Sequence, residues 1–243
     1  MVKKFFLDIE TLPPDEKVRK QIAETITKEM LSQNLPLDQS MLEQLTDEQF
    51  RGLALKAEYG RLLTIGLVIE NNGKVIHHGL LGRTRDSNNF HLDESRILKS
   101  FWNLLSKFDL SQDLIIGHNV LDFDLKFIYK RSIINQIQPS VNFCFSRFRS
   151  QPIYDTMWEW NHWRSCIKLS ELASALGLRT SKLDNIDGSK VYDYFLKHEH
   201  DKIAIYCMRD VELVREIFYR MTFLKPPVLE KYEDKAINLV SIS

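Results

Sequence analysis

The 243-residue chain holds only three cysteines, Cys144, Cys166 and Cys207. An odd number without ligand spacing excludes a disulfide framework and a cysteine zinc site, and points to a reducing compartment. Excess charge is missing too: 33 basic residues meet 33 acidic ones. That balance argues against a protein that coats long duplexes by neutralising phosphates, but suits one that holds a few terminal nucleotides. No apolar run approaches the roughly 20 residues of a membrane span, and MVKKFFLDIE reaches an acid too early for a secretory signal. A soluble, cytoplasmic protein that does not engage a membrane is expected. Neither a glycine-rich nucleotide loop nor a G-x-S-x-G elbow occurs. The chain does have 44% hydrophobic residues, enough for one substantial core. One domain over 1–225 is expected, carrying an insertion at 14–57 and followed by a tail at 226–243.

Periodicity outlines the elements. Val2 to Leu7 reads as a strand, and so does Arg61 to Glu70, which turns at Asn71, Asn72 and Gly73 into Lys74 to Leu81. Asp93 to Phe108 has a helical period, Asp113 to His118 reads as a strand, and Asp122 is placed to cap the helix that follows. A short helix capped by Ser170 stops at Gly177, and a last one runs from about Asp201 to Met221 before Pro226 and Pro227. This order predicts an α/β mixed sheet flanked by helices. Residues 14–57 read as helical and carry nine acids against six bases between 15 and 58, so a phosphate grip is not expected there. Between Lys126 and Lys168 seven bases face two acids, interleaved with Phe143, Phe145, Phe148, Trp158, Trp160 and Trp163. Two roles are open for these rings, base stacking and ordinary core.

Chemistry enters with five residues. Asp8 and Glu10, two apart on a strand, point to one face, where two carboxylates repel unless a cation lies between them. Asp210 falls on the apolar stripe of the last helix, with Tyr206 one turn earlier on the same face. A carboxylate aimed at a core is costly unless it is paired, protonated or bound to metal. Asp124 shares a helix face with Ile128, whereas Asp122 sits at a capping position, so Asp124 is the better metal ligand. Hard oxygen donors select Mg or Mn, and two such ions about 4 Å apart promote phosphodiester hydrolysis. Tyr206 would orient the attacking water. His198, Glu199 and His200 do not have a usual zinc spacing, and His77 and His78 face opposite sides of a strand.

In order and context, FFLDIET, GHNVLDFD and YCMRD resemble the three motifs of the DEDD 3′-to-5′ exonucleases, which have a ribonuclease H-like fold. Asn119, Phe123 and Asp124 meet the N-x-x-x-F-D pattern of the proofreading domains of family B DNA polymerases. Tyr206 and Asp210 meet Y-x-x-x-D, the mark of the tyrosine subtype (DEDDy). The histidine subtype would need His where Ile205 stands. AEYGRLLTIGLV, YDTMWEW, LSELASALGL, KLDNIDGSKV and IAIYCMRDVELV are similar to a stand-alone bacterial and phage group described as related to that proofreading domain. The resemblance covers Lys3 to Leu12 and most of Glu58 to Met221, but not Pro14 to Ala57.

The resemblance implies a ribonuclease H-like mixed five-stranded sheet flanked by helices, with a helical insertion after the first strand. It implies two divalent cations, Mg or Mn, held by Asp8, Glu10, Asp124 and Asp210. Thr11 and Leu12 would contact the terminal nucleotide, with Leu12 wedged between the last bases. Asn119 and Phe123 would line the path of the strand, and Lys182, Ser189 and Lys190 would touch phosphate. The expected activity is removal of nucleoside 5′-monophosphates from single-stranded or frayed DNA 3′ ends. An exoribonuclease is the alternative within enzymes. A nucleic-acid-binding or scaffold module that docks on a replication, repair or defence partner through 14–57 is the alternative of another class.

Overall fold

Alternation along the first strand sets the architecture. In the computed structural model, which describes residues 2–34, 36, 38–84, 89–179 and 188–228, β1 runs over Lys3–Leu12. Its odd residues Phe5, Leu7 and Ile9 join one apolar cluster. Its even residues Phe6 and Leu12 join another on the opposite face, as a period of two requires. Asp8 and Glu10 therefore share the second face with Phe6 and Leu12. The strand is longer than its apolar run: backbone pairing carries it through both acids to Leu12, not to Leu7.

β2 (Arg61–Asn71) and β3 (Lys74–Leu81) form the expected hairpin. Asn72 and Gly73 take the left-handed conformation of its tight turn, φ 51° and 73°, which suits Asn-Gly. β4 (Leu114–Gly117) and β5 (Ile153–Asp155) complete a five-stranded sheet in the order β3-β2-β1-β4-β5. The first three strands pair antiparallel, whereas β4 runs parallel to both β1 and β5. This is the mixed α/β sheet expected of a ribonuclease H-like exonuclease.

Helices cover both faces. On the first lie α3 (Glu94–Leu104), capped by Asp93, and α4 (Asp124–Ile134). They bury Ile97, Phe101, Leu125 and Ile128 against Phe5, Leu7 and Ile115. The second is covered by the C-terminal helix, whose Ile203, Val211 and Phe218 pack on Phe6, Val68 and Ile116. That helix follows α5 (Thr156–Trp160), α6 (Leu169–Ala175) and α7 (Val191–Leu196), and as α8 it spans His200–Thr222. Lys168, not Ser170, precedes the first residue of α6, and its N–H donates to Glu171 at 3.2 Å. No helix is long and apolar enough to cross a membrane among the described residues.

The 14–57 insertion is helical, as expected. α1 (Glu16–Ser32) and α2 (Gln39–Gly52) start at the aspartate caps Asp15 and Asp38 and bury Ile26, Met30 and Phe50. The Phe50 ring lies 5.9 Å from Tyr192, and Arg51 pairs with Asp193 at 2.8 Å. The insertion thus leans on α7.

Candidate active site

The site forms where β1 outlasts its neighbour. β4 pairs with β1 only from Lys4 to Phe6 and stops at Gly117. Farther along, the N–H of Ile9 donates instead to Oδ1 of Asp124, at 3.1 Å. Gly117 allows the turn between them, because a Cβ there would lie 2.5 Å from that of Val120. Buried Asp155 fixes the same turn by accepting the N–H groups of Asn119 and Leu121 at 2.9 and 3.0 Å, and it also caps α5. Asn119 adopts φ 63°, a left-handed conformation that asparagine tolerates. Asp124 then opens α4.

A bulge shapes the other flank. Register between β1 and β2 shifts between Glu10 and Thr11, and such bulges re-aim side chains beside functional sites. The N–H of Leu62 at this irregularity donates to Glu94 at 2.6 Å. Glu94 is paired in turn with Arg131 of α4, so one ion pair ties the bulge to the helix that carries Asp124.

The third contributor is α8. Gly66 lies opposite Asp8 in the β1–β2 register. A Cβ on Gly66 would meet Cys207 Sγ at 2.8 Å and Val211 at 2.9 Å. Only a glycine lets the helix approach this closely. The Cys207 thiol rests 3.8 Å from the Asp8 carbonyl, and the adjacent Tyr206 is hydrogen-bonded to Asp210 one turn later. Asp8, Glu10, Asp124, Asp210 and Tyr206 are thereby brought together from β1, α4 and α8.

Their electrostatics is one-sided. Glu10, Asp124 and Asp210 are buried, while Asp8 keeps part of its side chain open to solvent. Burial, followed by the charges of Glu10, Asp124 and Asp210, pushes the Asp8 carboxyl well above its usual range. Glu10 rises for the same reason, burial first and then Asp210 and Asp124. Burial lifts Asp124 to about 7, against the bonds from backbone N–H groups. Among the described residues no Lys or Arg forms an ion pair with Asp8, Glu10 or Asp124. Crowded, dehydrated carboxylates without a side-chain cation fit hard divalent ions. Ligand atoms of Asp8, Glu10 and Cys207 come within 4.8 Å of one another. The thiol, however, is held protonated by burial and by the same acids, which makes it a poor donor for Mg or Mn.

Around this cluster the rim is partly exposed at Thr11, Asn119 and Phe123. Leu12 departs from expectation: it is 1% exposed and packs with Leu63 and Val191 in the second core. It closes the strand and is not poised between bases. Ser189 is exposed in the one-turn helix Gly188–Lys190, two residues before Val191. Lys182 lies outside the described residues. Asp122 is no cap, since its carboxylate accepts from Lys126 at 2.6 Å and Arg147 at 2.8 Å. Residue reading missed Asp155, Gly66 and the Glu94–Arg131 pair. Only the placement of Asp155, just before an apolar helical start, hinted at the first.

The aromatic segment divides. Phe143 and Trp158 are buried, Phe145 and Trp163 are partly buried against the first core, and Phe148 and Trp160 stand exposed. His200 packs beside Phe90 and Phe195, with Nδ1 3.0 Å from Asn89.

The family model described as "Predicted 3'-5' exonuclease related to the exonuclease domain of PolB" matches residues 54–242. The match takes in Asp124, Tyr206 and Asp210 and begins after Asp8 and Glu10. Among curated proteins, none matches the sequence.

Proposed function

We propose, from the premise that the chain belongs to the family of predicted 3′-5′ exonucleases related to the exonuclease domain of PolB, that it is a two-metal DNA exonuclease of the tyrosine subtype. It would release nucleoside 5′-monophosphates from single-stranded or frayed 3′ ends. The observation that carries this reading is the gathering of Asp8, Glu10, Asp124 and Asp210 from three elements, with burial raising the first three and the charges of the other acids adding to it at Asp8 and Glu10.

Those four acids would hold two Mg or Mn ions, which when bound lower the pKa of a water and offset charge on the departing oxygen. The remaining work belongs to the chain. Burial and the charge of Asp210, with Glu10 and Asp8, keep the Tyr206 hydroxyl protonated far above its ordinary range. With its proton directed at Asp210, its oxygen would accept from the attacking water and orient it, and the hydroxyl would not serve as the base. Thr11, Asn119 and Phe123, half-open around the cluster, would position the terminal nucleotide, with Leu12 supporting Thr11 from the core. Ser189, and Lys182 nearby in sequence, would contact phosphate. DNA is proposed on the family's relation to the exonuclease domain of PolB. RNA would differ only through contacts to the 2′-hydroxyl.

The test is incubation of wild type and Asp8→Ala with 5′-labelled single-stranded DNA and RNA in Mn, Mg or EDTA, read at single-nucleotide resolution. A metal-dependent ladder shortening from the 3′ end, absent in the variant and faster on DNA, is the expected result. Cleavage of a circular single strand would refute end-dependence, and no ladder on either polymer would refute the nuclease reading.

A further inference from the structure

Beside the acid cluster runs a stack of side chains that the proposed chemistry does not use. The Arg147 guanidinium lies 4.9 Å from the centre of the Trp158 ring. Trp158 is nearly parallel to Trp163, 3° apart in plane and 6.1 Å between centres. Trp163 in turn lies 5.5 Å from Phe148. One end of this ladder is tied to the segment that leads into α4, because Arg147 donates to Asp122 at 2.8 Å, two residues before Asp124. The other end is open, with Phe148 75% exposed, and Trp160, which follows Trp158 by two residues in α5, is 37% exposed.

Two features set this surface apart from a stray apolar patch. Phe148, His162 and Trp163 have φ of 64°, 49° and 64°, a left-handed conformation that bulky residues rarely adopt and that concentrates at functional sites. The exposed charges of the segment from Arg147 to Lys168 are also of one sign, with Glu171 the first exposed acid beyond it. Arg149, Arg164 and Lys168 face solvent, whereas Asp155 is buried beneath backbone N–H groups and Glu159 is partly buried. Asp122 is already matched by Lys126 and Arg147. Exposed rings among cations suit a flexible polyanion that carries its own flat apolar groups.

We propose that this ladder is a single-strand platform for the nucleotides upstream of the terminal one. Bases stack on Phe148 and Trp160, and Arg149, Arg164 and Lys168 take the phosphates. The sense of the strand, 3′ end toward Asp124, rests on the exonuclease reading, but the binding does not.

The experiment measures anisotropy of 5′-labelled single strands in EDTA, where cleavage is blocked. Strands of three and twelve nucleotides are compared with an abasic strand of twelve. Wild type should bind the full twelve-mer at least about 10-fold more tightly than the trimer or the abasic strand. Phe148→Ala with Trp160→Ala should lose most of that gain, roughly 10-fold per stacked base, with trimer binding and melting temperature unchanged. Phe148→Trp should retain it. Equal binding of the twelve-mer by wild type and double variant would overturn the platform, as would equal binding of abasic and normal strands, or a loss that extends to the trimer. Cleavage in Mn separates the two readings. Base-dependent binding without a ladder leaves the platform standing and removes the exonuclease; a 3′ ladder with the variant unaffected does the reverse.

Discussion

Helix α8 covers buried carboxylates at both ends of β1 and treats them in opposite ways. Toward the start of β1, Glu70 faces Lys4 in register and is met by Arg215 Nε at 2.5 Å and by the Tyr219 hydroxyl. Lys4 donates to the same hydroxyl at 3.1 Å. Toward the end of β1, one tyrosine again lies four residues from a charged partner on α8, but Tyr206 is joined to Asp210, and the neighbours are Asp8 and Glu10. The Glu94–Arg131 pair and the Asp113–Lys3 pair follow the first pattern. Among the described residues Glu70, Glu94 and Asp113 each have a cationic partner and Asp8, Glu10 and Asp124 have none, which leaves room for one from solution. A buried carboxylate stripped of its partner is strongly destabilising, so the cluster persists only with protons or metal ions in place.

Exchange of the two kinds of site should break this contrast in opposite directions. The largest effect falls on catalysis: Asp8→Ala should reduce single-turnover cleavage by about 10³-fold or more, while circular dichroism shows an intact fold. Arg215→Ala should instead act on stability. It leaves Glu70 buried without its guanidinium, at a cost of about 3 to 5 kcal/mol, read from urea denaturation. If Arg215→Ala proved harmless, the two ends of β1 would not differ as described.

Metal sharpens the comparison next. At a hundredfold excess over its Kd, Mn should stabilise the wild type by about 2.7 kcal/mol, seen as a rise in Tm, and should barely move Asp8→Asn. The smallest effect is expected in EDTA. There Asp8→Asn should raise stability by about 1 kcal/mol at neutral pH by removing one of the crowded charges. The pH dependence has a fixed sign. Asp124 titrates at about 7 in the folded protein against an ordinary 3.8, and Asp8 and Glu10 are displaced the same way. The folded state holds these protons more tightly than the unfolded one. Their stabilisation is complete below the ordinary carboxylate values and is lost as pH rises through the folded ones. In EDTA, Tm should therefore fall from about pH 5 to about pH 8, and Mn should flatten the decline. A Tm that rose over that interval would contradict the raised values.

Much of this contrast could be read from residue order, and the remainder shows why part of it could not. The Asn-Asn-Gly turn, the shared face of Asp8 and Glu10 and the inward stripe that carries Asp210 each depend on local period, which a sequence displays directly. The apolar run of β1 ends at its acids, while the pairing with β2 that sustains the strand to Leu12 is non-local. Three-residue β5 is too short for any period. Asp122 and Ser170 occupy plausible capping positions, but Arg147 claims the first from a distant loop, and at the second the helix starts a residue earlier. Leu12 reads as a loop residue until Leu63 and Val191 are seen against it. Gly66 gives no local signal at all, since its purpose is the closeness of α8.

The account is tested most directly by Mn titration of the metal-free protein, with bound ions counted per chain for the wild type and Asp8→Asn. Uptake of two ions by the wild type, lost or weakened at least about tenfold in the variant, is the predicted result. No uptake by the wild type, or the same uptake by both proteins, would contradict the claim that these carboxylates await cations from solution.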